Sequence, residues 1–163
     1  LSESESDPLR IVSRMNETMS RDNDLSLFVT FFVGVLDLAT GHLCYCNAGH
    51  KAPYVLNSNI KHQTSLLPID SNLPVGAMSD WVFTKQETVL APGTTLFLYT
   101  DGLDEAEDSQ YNKFGKNRIG EALQATSPHP RTLIEHMTQA VGDFVGDTEQ
   151  SDDLTMLVIQ YKG

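Results

Sequence analysis

Apolar positions along the chain fall into two periodicities. Leu9, Val12, Met15 and Met19 recur at helical spacing, behind Asp7, which can cap the first turn, and Pro8, whose fixed backbone suits the first helical position. This predicts an amphipathic helix ending near Ser20, after a polar lead-in over residues 1–6 and before a polar stretch from Arg21 to Asp24. From Leu27 to Leu36 the pattern becomes a continuous run rich in β-branched and aromatic residues, which predicts a strand buried on both faces. Asp37 to Gly41 then reads as a hairpin connection, and His42 to Asn47 as the returning strand. Further strand-sized pieces are Tyr54 to Leu56, Ile60 to Gln63 and Trp81 to Val89, with turn chemistry at Asn57-Ser58-Asn59. Ala91-Pro92-Gly93 turns the chain into another strand. Beyond residue 101 the helical period returns, with Phe114, Ile119, Ala122 and Leu123 marking a short helix. A longer one follows Pro130 and carries Leu133, Ile134, Met137, Ala140, Val141, Phe144 and Val145. A polar loop, Gly146 to Ser151, leads to a closing strand. Helix, meandering strands, helices and one last strand imply an α+β domain with antiparallel sheet, not alternating βαβ units.

Two of the predicted strands carry acids at one end. Thr95 to Thr100 runs into Asp101-Gly102, and Asp152-Asp153 opens onto Leu154 to Ile159. If these runs pair antiparallel, the end of one lies beside the start of the other, and carboxylates far apart in sequence share a sheet edge. Hard divalent cations such as Mg2+ and Mn2+ take oxygen ligands of this kind. Asp-Gly after a strand is also ordinary turn chemistry, so the pairing carries the argument. Successive strand residues point to opposite faces, so Asp152 and Asp153 do not easily reach the same metal; one is a ligand and the other structural. Periodicity leaves open which.

Composition narrows the classes. With 163 residues and 40% hydrophobic content, the chain fits one domain, residues 1–163, with a real core. The net charge of −11 and eleven dispersed basic residues argue against nucleic-acid binding. No apolar stretch is long enough to cross a bilayer and no signal peptide is evident, so no membrane contact from this segment and a cytoplasmic setting are expected. The chain starts at Leu1 without an initiator Met, which reads as a piece of a longer protein. Cys44 and Cys46, two apart in a predicted strand, share a face and make a disulfide framework improbable. A zinc reading of His42, Cys44, Cys46 and His50 ranks behind a pair of core cysteines. Trp81, Phe83, Met15 and Met19 read as core, and the acidic run Asp104-Glu105, Glu107-Asp108 as the solvated first turn of a helix.

Several blocks in order complete the reading. Phe28-Val29-Thr30, Gly34-Val35-Leu36-Asp37, Asn47-Ala48-Gly49-His50, Leu73-Pro74-Val75-Gly76, Pro92-Gly93, Leu98 to Leu103 with Glu105-Ala106, Phe114-Gly115 and Asp152 to Thr155 resemble the signature blocks of bacterial metal-dependent protein phosphatases. The resemblance is to the branch of the protein phosphatase 2C superfamily that contains the sporulation stage II E phosphatase and the regulators of stress sigma factors. It implies a sandwich of two antiparallel sheets flanked by helices, with a two-metal Mn2+ or Mg2+ site that activates water for hydrolysis of phosphoserine or phosphothreonine. The implied substrate is a phosphorylated protein, for this branch an anti-sigma-factor antagonist. The alternative is a non-catalytic module that keeps the fold for partner binding.

Residue by residue, the resemblance makes Asp101 and Asp152 the catalytic metal ligands, with Asp153 as a neighbouring candidate ligand. Gly102 is expected to permit a tight turn after Asp101. Asn47 and His50 lie in a block beside the cleft and become substrate-binding candidates, although Asn47, Gly49 and His50 read first as a hairpin turn. Nothing in this chain matches the family's first acidic blocks, and only fifteen residues precede Asn16. The expectation is the C-terminal portion of a catalytic domain, incomplete at its N-terminus and inactive alone, with strand edges open to self-association.

Overall fold

A computed structural model of the chain describes residues 6–21, 23–57, 64–149 and 152–163. The strand expected at Ile60 to Gln63, the Ser58-Asn59 part of the expected turn, most of the polar lead-in and the end of the Gly146 to Ser151 loop lie outside the described residues. The chain divides into two compact units. One comprises Leu1–Ala52, Pro68–Leu90 and Gly163, the other Pro53–Leu67 and Ala91–Lys162.

The first unit contains helix α1 (Pro8–Met19) and the antiparallel strands β1 (Phe31–Leu36), β2 (His42–Ala48) and β5 (Gln86–Val89), in the order β1-β2-β5. Asp7 caps α1 as its position suggests, its side chain accepting from Leu9 N at 3.1 Å, with Pro8 at the first position. The apolar stripe of α1 then faces the sheet: Val12 is fully buried with Cys46, Ala48, Val75 and Phe83, while Leu9, Met15, Met19, Phe31, Val33 and Trp81 pack around them. Asn16 lies on the same stripe and is only 2% exposed. Its side chain accepts from Gly76 N at 2.8 Å and donates to Met78 O at 2.9 Å and Ser79 O at 3.2 Å, so it ties the helix to the 76–79 loop.

Two expectations are corrected in this unit. The Leu27–Leu36 run is a strand only from Phe31, and it forms an edge of its sheet instead of a strand buried on both faces. Leu27 and Phe28 are exposed, and Val29 exchanges backbone bonds with Val75 at 2.9 Å. The Trp81–Val89 run joins the sheet only at Gln86. Ahead of it, the Asn72 side chain holds the Thr84 backbone, donating to Thr84 O and accepting from Thr84 N, both at 2.9 Å, and so takes the place of a strand partner.

The second unit contains strands β3 (Tyr54–Leu56), β4 (Thr64–Leu66), β6 (Thr95–Tyr99) and β7 (Met156–Gln160), in the antiparallel order β4-β3-β6-β7. It also holds helices α2 (Asp101–Asp104), α3 (Gly115–Ala125) and α4 (Pro130–Val145). The alternate residues Phe97 and Tyr99 of β6 face the core beneath α3 and α4, where Leu103, Ile119, Leu123, Leu133 and Met137 fill the space. Phe97 is completely buried and stacks on Tyr99 at 5.9 Å between ring centroids. The expected helices at 114–123 and after Pro130 are α3 and α4. The acidic run is not the first turn of a helix: α2 ends at Asp104, which is buried, and Glu105 to Lys113 form a separate loop. Among the described residues, two antiparallel sheets and four helices make the architecture α+β. No helix among the described residues is long and apolar enough to cross a membrane.

Candidate functional site

Strands β6 and β7 pair antiparallel from Thr95↔Gln160 to Tyr99↔Met156, which brings the two acidic ends together. The contact extends past the last paired residues. Thr100 N donates to Thr155 O at 3.1 Å, Thr155 N donates to Thr100 Oγ1 at 3.1 Å, and Thr100 Oγ1 donates to Asp153 O at 3.2 Å. One threonine hydroxyl therefore both accepts from and donates to the opposing chain. It fixes the backbone that carries Asp153 against the residue immediately before Asp101.

Gly102 completes the clamp. A Cβ built at this position would stand 2.3 Å from Asp153 O, 2.9 Å from Asp153 C and 3.3 Å from Leu154 N. The expected reason for glycine was a tight turn, but Gly102 is not among the glycines with positive φ and sits inside α2. What the position requires is room for a second backbone. Asp101 opens α2 at its N-terminal end, where the unpaired amides of the first turn favour a carboxylate.

Asp101, Asp152 and Asp153 are all exposed. Asp152 Oδ1 accepts from Asp153 N at 2.7 Å, so one carboxylate oxygen is engaged within the loop. The donors assembled here are carboxylate and carbonyl oxygens on well-held backbone, a chemistry that suits Mg2+ or Mn2+. Among the described residues no group of three or more His, Cys, Asp or Glu side chains comes together as a metal cage. The same holds for the zinc reading. Cys46 Sγ lies 3.3 Å from Thr84 O and Cys44 Sγ 3.8 Å from Glu87 Oε1, and both cysteines are free. Burial pushes the Cys46 thiol up to about 11, and raises that of Cys44 as well.

Asn47 and His50 belong to the first unit. Asn47, 2% exposed, donates from Nδ2 to His50 O at 2.9 Å across the turn at Gly49, whose φ is +73°. Its backbone oxygen accepts from Asn72 Nδ2 at 3.1 Å. Asn47 thus braces the turn, while half-buried His50 ends it. Sequence reasoning missed Thr100 and Asn72 as organising residues. A hydroxyl just before the Asp-Gly pair was the only available signal for the first.

The comparisons with known proteins match this picture. Among solved structures, the chain superposes on the PP2C domain of SiaA from Pseudomonas aeruginosa with a TM-score of 0.78 at 22% identity, covering 99% of this chain and 63% of that one. It superposes on the Mn-presoaked phosphatase domain of the cell-fate determinant SpoIIE from Bacillus subtilis with a TM-score of 0.68 at 18% identity, covering 99% and 68%. The fold is that of a PP2C-type domain. The sequence profile of the stage II sporulation protein E (SpoIIE) family matches residues 1–162, and the chain belongs to that family. Protein IcfG of Synechocystis is 31% identical over 153 residues, 93% of this chain and 24% of that protein. The phosphoserine phosphatase RsbU of Bacillus subtilis is 21% identical over 158 residues, 95% of this chain and 45% of its own length. The chain thus spans less than half the length of these curated relatives.

Proposed function

We propose that these 163 residues are the C-terminal portion of a phosphatase domain. The parent protein would use Mn2+ or Mg2+ to hydrolyse phosphoserine or phosphothreonine on a cytoplasmic regulatory protein, with an anti-sigma-factor antagonist as the favoured substrate. One observation carries the reading: the Asp101 and Asp152-Asp153 ends are held side by side by Thr100 and by a glycine that has no room for a side chain. Membership of the SpoIIE family, the likeness to RsbU and the likeness to a Mn-presoaked phosphatase domain support it.

In this reading Asp101 and Asp152 hold the cation through carboxylate oxygens, with Asp153 as an additional candidate. The bound cation would lower the pKa of a water and offset charge on the phosphoryl oxygens. The protein's part is positional. Thr100 fixes the Asp153 carbonyl, and the Asp152 Oδ1 bond to Asp153 N sets the orientation of that carboxylate. His50 is proposed as a group that positions substrate or water, with Asn47 supporting its backbone. Ligands missing from this chain would come from elsewhere in the parent.

The test is turnover of a serine-phosphorylated protein by the full-length parent with Mn2+. Asp101→Asn is expected to lower it by at least about 100-fold, because even residues that merely support metal ligands cost 10 to 100-fold when replaced. A wild-type parent without turnover would instead favour the non-catalytic module.

A further inference from the structure

We propose that Tyr111 is a specificity-determining contact for the polypeptide that flanks the phosphorylated residue; this rests on the phosphatase reading above. Tyr111 stands at the tip of the loop that leaves α2, and 84% of it is exposed. Its φ is +63°, a backbone region that large side chains rarely adopt and that glycine or asparagine would occupy without penalty. An aromatic ring at such a position contributes nothing to the core. Nor does it pair with another ring among the described residues.

The loop around it is locked. Asp108 accepts from Gln110 N at 2.8 Å and Asn112 N at 2.9 Å through Oδ1, and from Asn112 Nδ2 at 2.9 Å through Oδ2. Asp108 N donates to Asn112 O, and Tyr111 N donates to Asp108 O, both at 3.0 Å. The base is closed by the Glu107↔Lys113 bridge, by Phe114 N donating to Ala106 O at 2.8 Å, and by the Lys113 Nζ–Glu105 Oε2 pair at 2.9 Å. Hydrogen bonds to its carboxylate hold Asp108 below the usual carboxylate range, so the lock persists at neutral pH. A rigid loop presenting one exposed tyrosine can make a contact at little ordering cost, and tyrosine is among the residues that dominate interfaces.

The loop also has reach. Glu105 N donates to Asp101 O at 2.8 Å, so the loop starts one helical turn from the proposed metal ligand. Even with the six residues from Glu105 to Tyr111 fully extended beyond that turn, Tyr111 lies within about 28 Å of Asp101, a span of about eight extended residues of bound substrate. Glu107 and Asp108 on the same loop favour a flanking segment with Lys or Arg, whose cation can also lie over the tyrosine face.

The experiment compares wild-type and variant full-length parent with Mn2+ on two substrates. One is para-nitrophenyl phosphate. The other is a phosphoserine peptide with about ten residues on each side, enough to cover that span, including Lys and Arg. Tyr111→Gly is expected to lower kcat/KM on the peptide by at least about fivefold, through KM, with para-nitrophenyl phosphate unaffected. Tyr111→Phe should stay close to wild type. Since glycine suits φ +63°, the Tyr111→Gly parent should melt at or above the wild-type temperature, whereas a structural role for the ring would lower it. Unchanged peptide kinetics in Tyr111→Gly, equal losses on both substrates, or a wild-type parent that gains nothing from the peptide would each overturn this inference alone. A wild-type parent inactive on both substrates would overturn the phosphatase reading and this inference with it.

Discussion

Replacing Gly102 with alanine tests the clamp at the candidate site more sharply than removing any acid. The added methyl carbon would sit 2.3 Å from Asp153 O, against an ordinary contact near 3.4 Å, so α2 and the strand entry must part by about 1 Å. Neither side is free to move cheaply. Three hydrogen bonds centred on Thr100 join them, at 3.1, 3.1 and 3.2 Å, and each is worth about 0.5–1.5 kcal/mol. Overpacking adds about 1–3 kcal/mol, and since separation relieves one cost by incurring the other, a net loss near 3 kcal/mol is expected. For a chain of this size that lowers the melting temperature by about 6–12 °C, measurable by circular dichroism. Gly142→Ala provides the contrast. Gly142 lies in α4 with nothing within 4 Å of an added Cβ, and the change should stabilise by up to about 1 kcal/mol. A Gly102→Ala protein melting within about 2 °C of wild type would refute the close approach, because that margin corresponds to less than about 1 kcal/mol.

Asn16→Ala removes the buried acceptor for Gly76 N and the donor to Met78 O and Ser79 O, and should destabilise by about 2–3 kcal/mol in urea unfolding. Exposed Arg14→Ala serves as reference, and equal midpoints for the two would sink the argument. In the native protein at pH 8, Cys46 should alkylate far more slowly than in the denatured chain, because burial holds its thiol at about 11 against the usual 9.0. Mass spectrometry after a brief iodoacetamide pulse reads this, and equal native and denatured rates would contradict it. The folded-state value lies above the unfolded one, so this group's contribution to stability is full below pH 9 and is lost as pH climbs towards 11.

Local signals carried much of the architecture. α1 was legible because a cap, a proline and a helical stripe all lie within a dozen residues, and α4 because Pro130 and a long apolar period do. The meeting of Asp101 with the Asp152-Asp153 end was legible because two apolar runs of matching length pair antiparallel, which fixes which ends are neighbours. What stayed hidden depends on partners distant in sequence. Asn16 looks like a polar interruption of the helix stripe until Gly76, Met78 and Ser79, 60 to 63 positions away, take up its hydrogen bonds. Trp81 to Thr84 read as strand because alternation cannot reveal that the Asn72 side chain holds that backbone instead. Gly102 was assigned the right importance for the wrong cause, since close approach by the distant Asp153–Leu154 backbone leaves no local trace.

The pairing of β6 with β7 also dictates when the acidic pair can exist. Asp101 is followed by α3 and α4 before the chain returns as β7. A chain halted before Asp152 would contain the entire first sheet and α1 to α4. It would still lack the β7 partners of Leu96 and Leu98, Ile159 and Leu157, and its Thr100 hydroxyl would have no Asp153 carbonyl to hold. The two acidic ends therefore meet only once β7 is in place, and a chain truncated ahead of that strand cannot bring its charges together.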